Sequence, residues 1–104
     1  MFELEPVDYM AINKRQALRR TKLLLVSEWN LGEEPLSDTS LRDHSDGLGK
    51  NDEQIDALEN PVNVEFHDVL GANRVLGSEL RKATTVGKLR DKIWAQIPQV
   101  NRIP

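Results

Sequence analysis

The 104-residue chain contains no cysteine. This excludes disulfides, thiolate nucleophiles and cysteine-ligated metal centres together, fits a cytoplasmic setting, and leaves stability to packing alone. Aromatic residues are few, at 5%, so rings on which bases could stack are scarce. Long hydrophobic runs are missing too: the longest, Leu23 to Val26, is far too short to span a bilayer. The N-terminus MFELEPVDYM has no basic stretch followed by an apolar one, so neither export nor membrane insertion is indicated. With 38% apolar and 30% charged residues, the composition is that of one globular domain with a modest core, too small for a cleft between two domains. Any function therefore belongs to a surface or a small pocket.

What the chain does have is charge, unevenly placed. Residues 1 to 30 carry a net +1, residues 31 to 68 a net −9 and residues 69 to 104 a net +5. An acidic middle of this size repels nucleic acid and favours basic partner surfaces, through steering that weakens with salt. The run KRQALRRTK places Lys14, Arg15, Arg19 and Lys22 on largely one side of a helix, which makes a DNA-binding or RNA-binding role the rival class. The acidic middle, the pI near 5.4 and the scarcity of aromatics weigh against it.

Periodicity divides the chain into a few helices. Residues 1–9 form an arm with no clear period, and the segment from Met10 to Trp29 has no Gly or Pro and places Ala11, Leu18, Leu25 and Trp29 at sevens and fours, which predicts an amphipathic helix. Asn30, Leu31 and Gly32 supply its stop. Residues Glu33 to Lys50 are dense in turn formers and predict a long loop, anchored by Leu36, Leu41 and Leu48. Asn51 or Asp52 can cap a second helix carrying Ile55, Leu58, Val62 and Phe66, with Pro61 breaking or kinking it near Asn60 and VNVEF open to an extended reading. Asp68 is expected to cap a short third helix through Leu80. Thr84 or Thr85 caps a last one whose face is Val86, Leu89, Ile93 and Ile97, with Pro98 as its stop. Residues 98–104 are left as a tail.

Two stretches are more specific. Leu48 to Phe66, LGKNDEQIDALENPVNVEF, can be laid without a gap on the pattern LGxDSLDxxELxxxLExxF, sharing the Leu48-Gly49 pair and the apolar positions Leu58, Val62 and Phe66 with Glu59 and Glu65 between them. Thr84-Thr85-Val86-Gly87 opens the last helix as TTVGDL does. Both patterns belong to the acyl carrier proteins, and over residues 10–97 the chain resembles that family. The resemblance implies an all-α fold, a small three- to four-helix bundle with a long loop after the first helix. In the family a serine at the start of the second helix takes a phosphopantetheine arm that holds acyl groups as thioesters. Here Asp52 stands at the serine position, with Asn51 before it and Glu53 after it; aligning GLGKND on GLDSLD puts Lys50 there instead. Neither side chain can be modified that way. The nearest hydroxyls are Ser45 and Ser40, which makes Ser45 the candidate for a displaced attachment site, although serine beside aspartate is also ordinary turn chemistry.

Other constellations carry less. His44 and His67 are separated by a loop and a helix and have no ligand spacing, so no metal site is expected. DHSDGLGKNDEQ fails the calcium-loop pattern because Arg42 or His44 falls at its first ligand position. Trp29 and Trp94 fall near apolar stripes and read as core. The expected function is that of an acyl-carrier-like domain that is not an enzyme and needs no cofactor. It would dock basic-surfaced proteins, such as acyl-transfer or synthase enzymes of fatty acid or polyketide-type metabolism, through Asp52, Glu53, Asp56 and Glu59. The alternatives are a true carrier with phosphopantetheine on Ser45, and a nucleic-acid binder using the first helix.

Overall fold

A computed structural model of the protein describes residues 11–104; the N-terminal arm at 1–9, and Met10, lie outside the described residues. The architecture is a small helical bundle. A two-residue strand β1, Ile12–Asn13, leads into the long helix α1, Lys14–Trp29, and after an extended loop come α2 (Asp52–Asp56), α3 (Glu59–Glu65), α4 (His67–Leu70), α5 (Gly77–Leu80) and α6 (Val86–Trp94). A 3-10 turn at Gln99–Asn101 and strand β2, Arg102–Ile103, close the chain. β2 runs parallel to β1, Ile12 beside Arg102, so the segment after Pro98 is tied back to the helical body. Helix α1 packs against both α6 and α3, and the buried core runs between them through Leu25, Ile55, Phe66, Leu89 and Ile93. Among the described residues no helix is long and apolar enough to cross a membrane.

Local chemistry explains the helix boundaries. Helix α1 starts three residues into the described segment because Asn13 forms a capping box: its side chain accepts from the Gln16 backbone at 2.7 Å, and Gln16 returns the bond to the Asn13 N–H at 2.9 Å. It stops at Asn30, the residue that takes the left-handed conformation (φ 51°) rather than Gly32. The same device opens α2, where Asn51 and Gln54 bond reciprocally at 2.8 and 2.9 Å.

The expected second helix is two helices. The break falls at Ala57 and Leu58, earlier than Asn60, and the reason is Pro61. Starting a new helix at Glu59 puts the proline in a first turn, where a backbone N–H has no intrahelical acceptor to lose. VNVEF is therefore helical up to Glu65 and not extended, with Val62 and Phe66 buried. The expected third helix is also divided. Asp68 sits inside α4 rather than capping it, Gly71 turns the chain at φ +62°, and α5 begins afresh at Gly77. Thr85 caps α6, its hydroxyl accepting from the Lys88 N–H at 3.1 Å, and Val86, Leu89, Ile93 and Ile97 are buried as their spacing requires.

The long loop is stitched to the bundle. Leu41 is fully buried and Leu48 packs against the core, but Leu36, expected to be an anchor, is 68% exposed. Hydrogen bonds do what Leu36 does not. The orphan N–H groups at the start of α6 are taken up by loop carbonyls, Val86 donating to Thr39 and Gly87 to Ser37 at 3.1 and 2.7 Å, and Leu41 donates to Thr84 at 3.0 Å. This pairing brings the loop alongside the first residues of both α6 and α2.

Candidate functional site

Loop and α2 meet in an open pocket of about 590 Å³ lined by Arg42, His44, Gly49, Lys50, Asn51, Asp52 and Glu53. Asn51 fixes the helix start, so Asp52 and Glu53 occupy the first turn of α2 at the pocket rim, where the helix dipole favours carboxylates. Gly49 adopts φ +66°, which glycine takes without strain, and a Cβ there would lie 3.2 Å from His44 Nδ1, a tight contact that would press on the histidine.

Arg42 organises the site. Its Nε donates to Asp52 Oδ1 at 2.8 Å, while its other two nitrogens donate to the carbonyls of Ala83 and Arg81 at 2.7 and 2.5 Å. One guanidinium thus joins the loop, α2 and the approach to α6. Lys50 lies over the Trp29 ring, 5.3 Å from its centroid, which ties the pocket wall to the end of α1. The sequence reading left Arg42 without a role and treated Lys50 only as an alignment alternative. The signal was there: these are the two basic residues of the acidic stretch 31–68, and both line the pocket.

The four acidic docking candidates are divided by the fold. Asp52 and Glu53 share the pocket rim, and Asp52 keeps 65% of its side chain exposed despite the ion pair. Asp56 ends α2 with its carbonyl and carboxylate against Gly77, so close that a Cβ on that glycine would overlap them. Glu59 stands one helix further on and is engaged at both oxygens: Oε1 accepts from the Gly77 N–H at 2.7 Å and Oε2 pairs with Arg74 at 3.0 Å. The Gly77 N–H and then Arg74 hold the Glu59 carboxyl below the ordinary glutamate range.

Ser45 lies on the exposed tip of the loop. Asp43 builds that turn, its Oδ1 accepting from the Ser45 N–H at 2.9 Å, the Ser45 hydroxyl at 3.1 Å and the Asp46 N–H at 3.3 Å. Those backbone bonds, first from Ser45 and then from Asp46, hold Asp43 below the usual aspartate range. Ser40 is half-buried, its hydroxyl accepting from the N–H groups of Arg42 and Asp43 at 3.3 and 3.1 Å. A phosphopantetheine arm needs a free hydroxyl with room for a phosphodiester. Asp52 has none, Ser40 is half-buried with its hydroxyl accepting two backbone bonds, and Ser45 is exposed with its hydroxyl donating to Asp43. The site at the start of α2 therefore lacks an attachment hydroxyl, and Ser45 is the exposed one nearest to it in the loop.

The remaining candidates stay apart. His44 is at the pocket and His67 opens α4 on the exposed surface; no cluster of three metal-ligating side chains occurs among the described residues. Lys14 and Arg15 are exposed on α1, and Arg19 pairs loosely with Glu34 at 3.5 Å. No family model, curated protein or solved structure matches the chain.

Proposed function

We propose that this chain is an acyl-carrier-like helical domain, not an enzyme, that works as a protein-docking module linked to fatty acid or polyketide-type acyl metabolism. The observation that carries the reading is Asp52 at the first residue of α2, on the rim of an open pocket and aligned with the family's serine. A carboxylate there cannot form the phosphodiester, but together with Glu53 it presents negative charge from a helix start stiffened by Asn51 and Arg42. A partner's Lys or Arg would meet Glu53 and the exposed side of Asp52, an interaction set by electrostatic complementarity and weakened by salt. Asp56 and Glu59 would support this surface by fixing α5 against α2 and α3, since Glu59 holds the Gly77 N–H.

Capture of partners from the source cells by the wild-type chain and by an Asp52→Lys, Glu53→Lys variant tests this. Basic partners bound at low salt should be lost from the variant. Unchanged binding of every captured protein would overturn the proposal. The second reading, a carrier modified on Ser45, is favoured by one observation, the exposure of that serine in the loop before α2. It predicts a mass gain with a phosphopantetheinyl transferase and coenzyme A.

A further inference from the structure

The segment that follows α6 is held to the bundle by polar bonds and hardly at all by burial. None of residues 98–104 is buried, and its two large apolar side chains, Val100 and Ile103, are 74% and 41% exposed. Asn101 Nδ2 donates to the Val69 carbonyl at 2.8 Å. The Arg102 guanidinium donates through Nε to the Ile97 carbonyl at 2.8 Å and through Nη2 to the Trp94 carbonyl at 2.9 Å. It also lies over the Trp94 ring, 5.2 Å from the centroid. The pairing of β2 with β1 adds only two residues of parallel ladder, with Ile103 beside Asn13, the N-cap of α1.

The residues on the other side of these bonds belong to the core. Ile12, in register with Arg102, is 3% exposed, and Val69 and Ile97, whose carbonyls accept from the segment, are 1% exposed each. A segment bound in this way lifts off at the cost of a few polar bonds, which water partly replaces, while its own side chains lose little burial. Arg102 carries most of that cost. Carbonyls at the end of a helix lack intrahelical donors, and one cation here satisfies those of Trp94 and Ile97 together while stacking on the Trp94 ring.

We propose that residues 98–104 form a strap that opens as a unit while the helices stay folded, with Arg102 as its catch and Ile12, Val69, Trp94 and Ile97 as the apolar end of the bundle it covers. Amide hydrogen exchange of the full chain, followed by NMR, tests it. In the wild type the amides of residues 101–103 should exchange at least about tenfold faster than those of Leu25 and Leu89, with a weaker dependence on denaturant, as local opening requires. Arg102→Ala should raise exchange at 101–103 by about tenfold more and shift the Trp94 indole resonance, leaving Leu25 and Leu89 protected. Asn101→Ala, which removes a single neutral bond, should raise the same amides by a few-fold, on the order of one ordinary hydrogen bond. Strap amides that exchange in step with Leu25 and Leu89 in the wild type would overturn the proposal. So would an Arg102→Ala variant that leaves the strap amides and the Trp94 resonance unchanged, or one that opens Leu25 and Leu89 to the same extent.

Discussion

Arg42 and Asp52, ten residues apart on either side of a loop turn, are joined at 2.8 Å, and the same guanidinium reaches the carbonyls of Arg81 and Ala83. The pair neutralises part of the charge at the helix start and fixes the pocket wall. Arg42→Ala should therefore loosen the loop and lower stability by about 1–2 kcal/mol, the modest scale of charge-assisted bonds at a half-exposed site. Arg42→Lys should recover little, because a single ammonium cannot reach three acceptors in the guanidinium's plane. Chemical denaturation of both variants, with hydrogen exchange at Leu48 and Lys50, checks this.

The two leucines of the loop separate anchoring from exposure. Leu41→Ala should cost about 2–5 kcal/mol, since its side chain is fully buried. Leu36→Ala should stay within about 0.5 kcal/mol, as expected for an exposed position. Thermal unfolding of the two variants gives the comparison directly.

How far the sequence reached is visible at these same positions. Periodicity located α1 and α6 and most of the core, because Leu25, Leu89 and Ile93 recur at helical spacing. Leu36 and Leu41 could not be told apart, since burial in a loop is decided by which backbone groups pair with α6, and composition does not record that. Pro61 announced a break but not its place; the break at Ala57 and Leu58 leaves the proline in the first turn of α3, which a start at Asn60 or Pro61 would equally have done. At the pocket, the capping residue Asn51 was legible, and with it the place of Asp52 and Glu53 in the first turn of α2. The separation of Glu59, and the part played by Arg42, depended on long-range bonds to Gly77, Ala83 and Arg81.

Gly77 sets a packing limit. A Cβ at this position would lie 1.8 Å from Asp56 Oδ1 and 2.6 Å from the Asp56 carbonyl oxygen. Gly77→Ala should destabilise the domain by about 1–3 kcal/mol, the usual scale of overpacking. It should also free Glu59, seen as a rise in that carboxyl's pKa by NMR titration.

Acid should unfold the protein through its carboxylates. Asp43 is held low by the Ser45 and Asp46 N–H groups, Glu59 by the Gly77 N–H and Arg74, and Glu79 by Lys82. For Asp68 partial burial acts upward, but the bonds to Arg20 outweigh it and the net shift is also down. A carboxyl depressed in the folded state contributes stability above its unfolded pKa and loses it as pH falls through the folded value. Tm should be nearly flat from neutrality to about pH 5 and fall steeply below about pH 4. Asp43→Asn should lower Tm at pH 7 and make the acid fall shallower; an unchanged profile would mean that the turn contributes nothing.

The most direct test of the account is the intact mass of the protein before and after incubation with a broad-specificity phosphopantetheinyl transferase and coenzyme A. A docking domain with Asp52 in place of the serine should keep its unmodified mass under conditions that load a control carrier fully. A gain of one phosphopantetheine, mapped to Ser45 or Ser40, would contradict it and make the chain a working carrier with a displaced site.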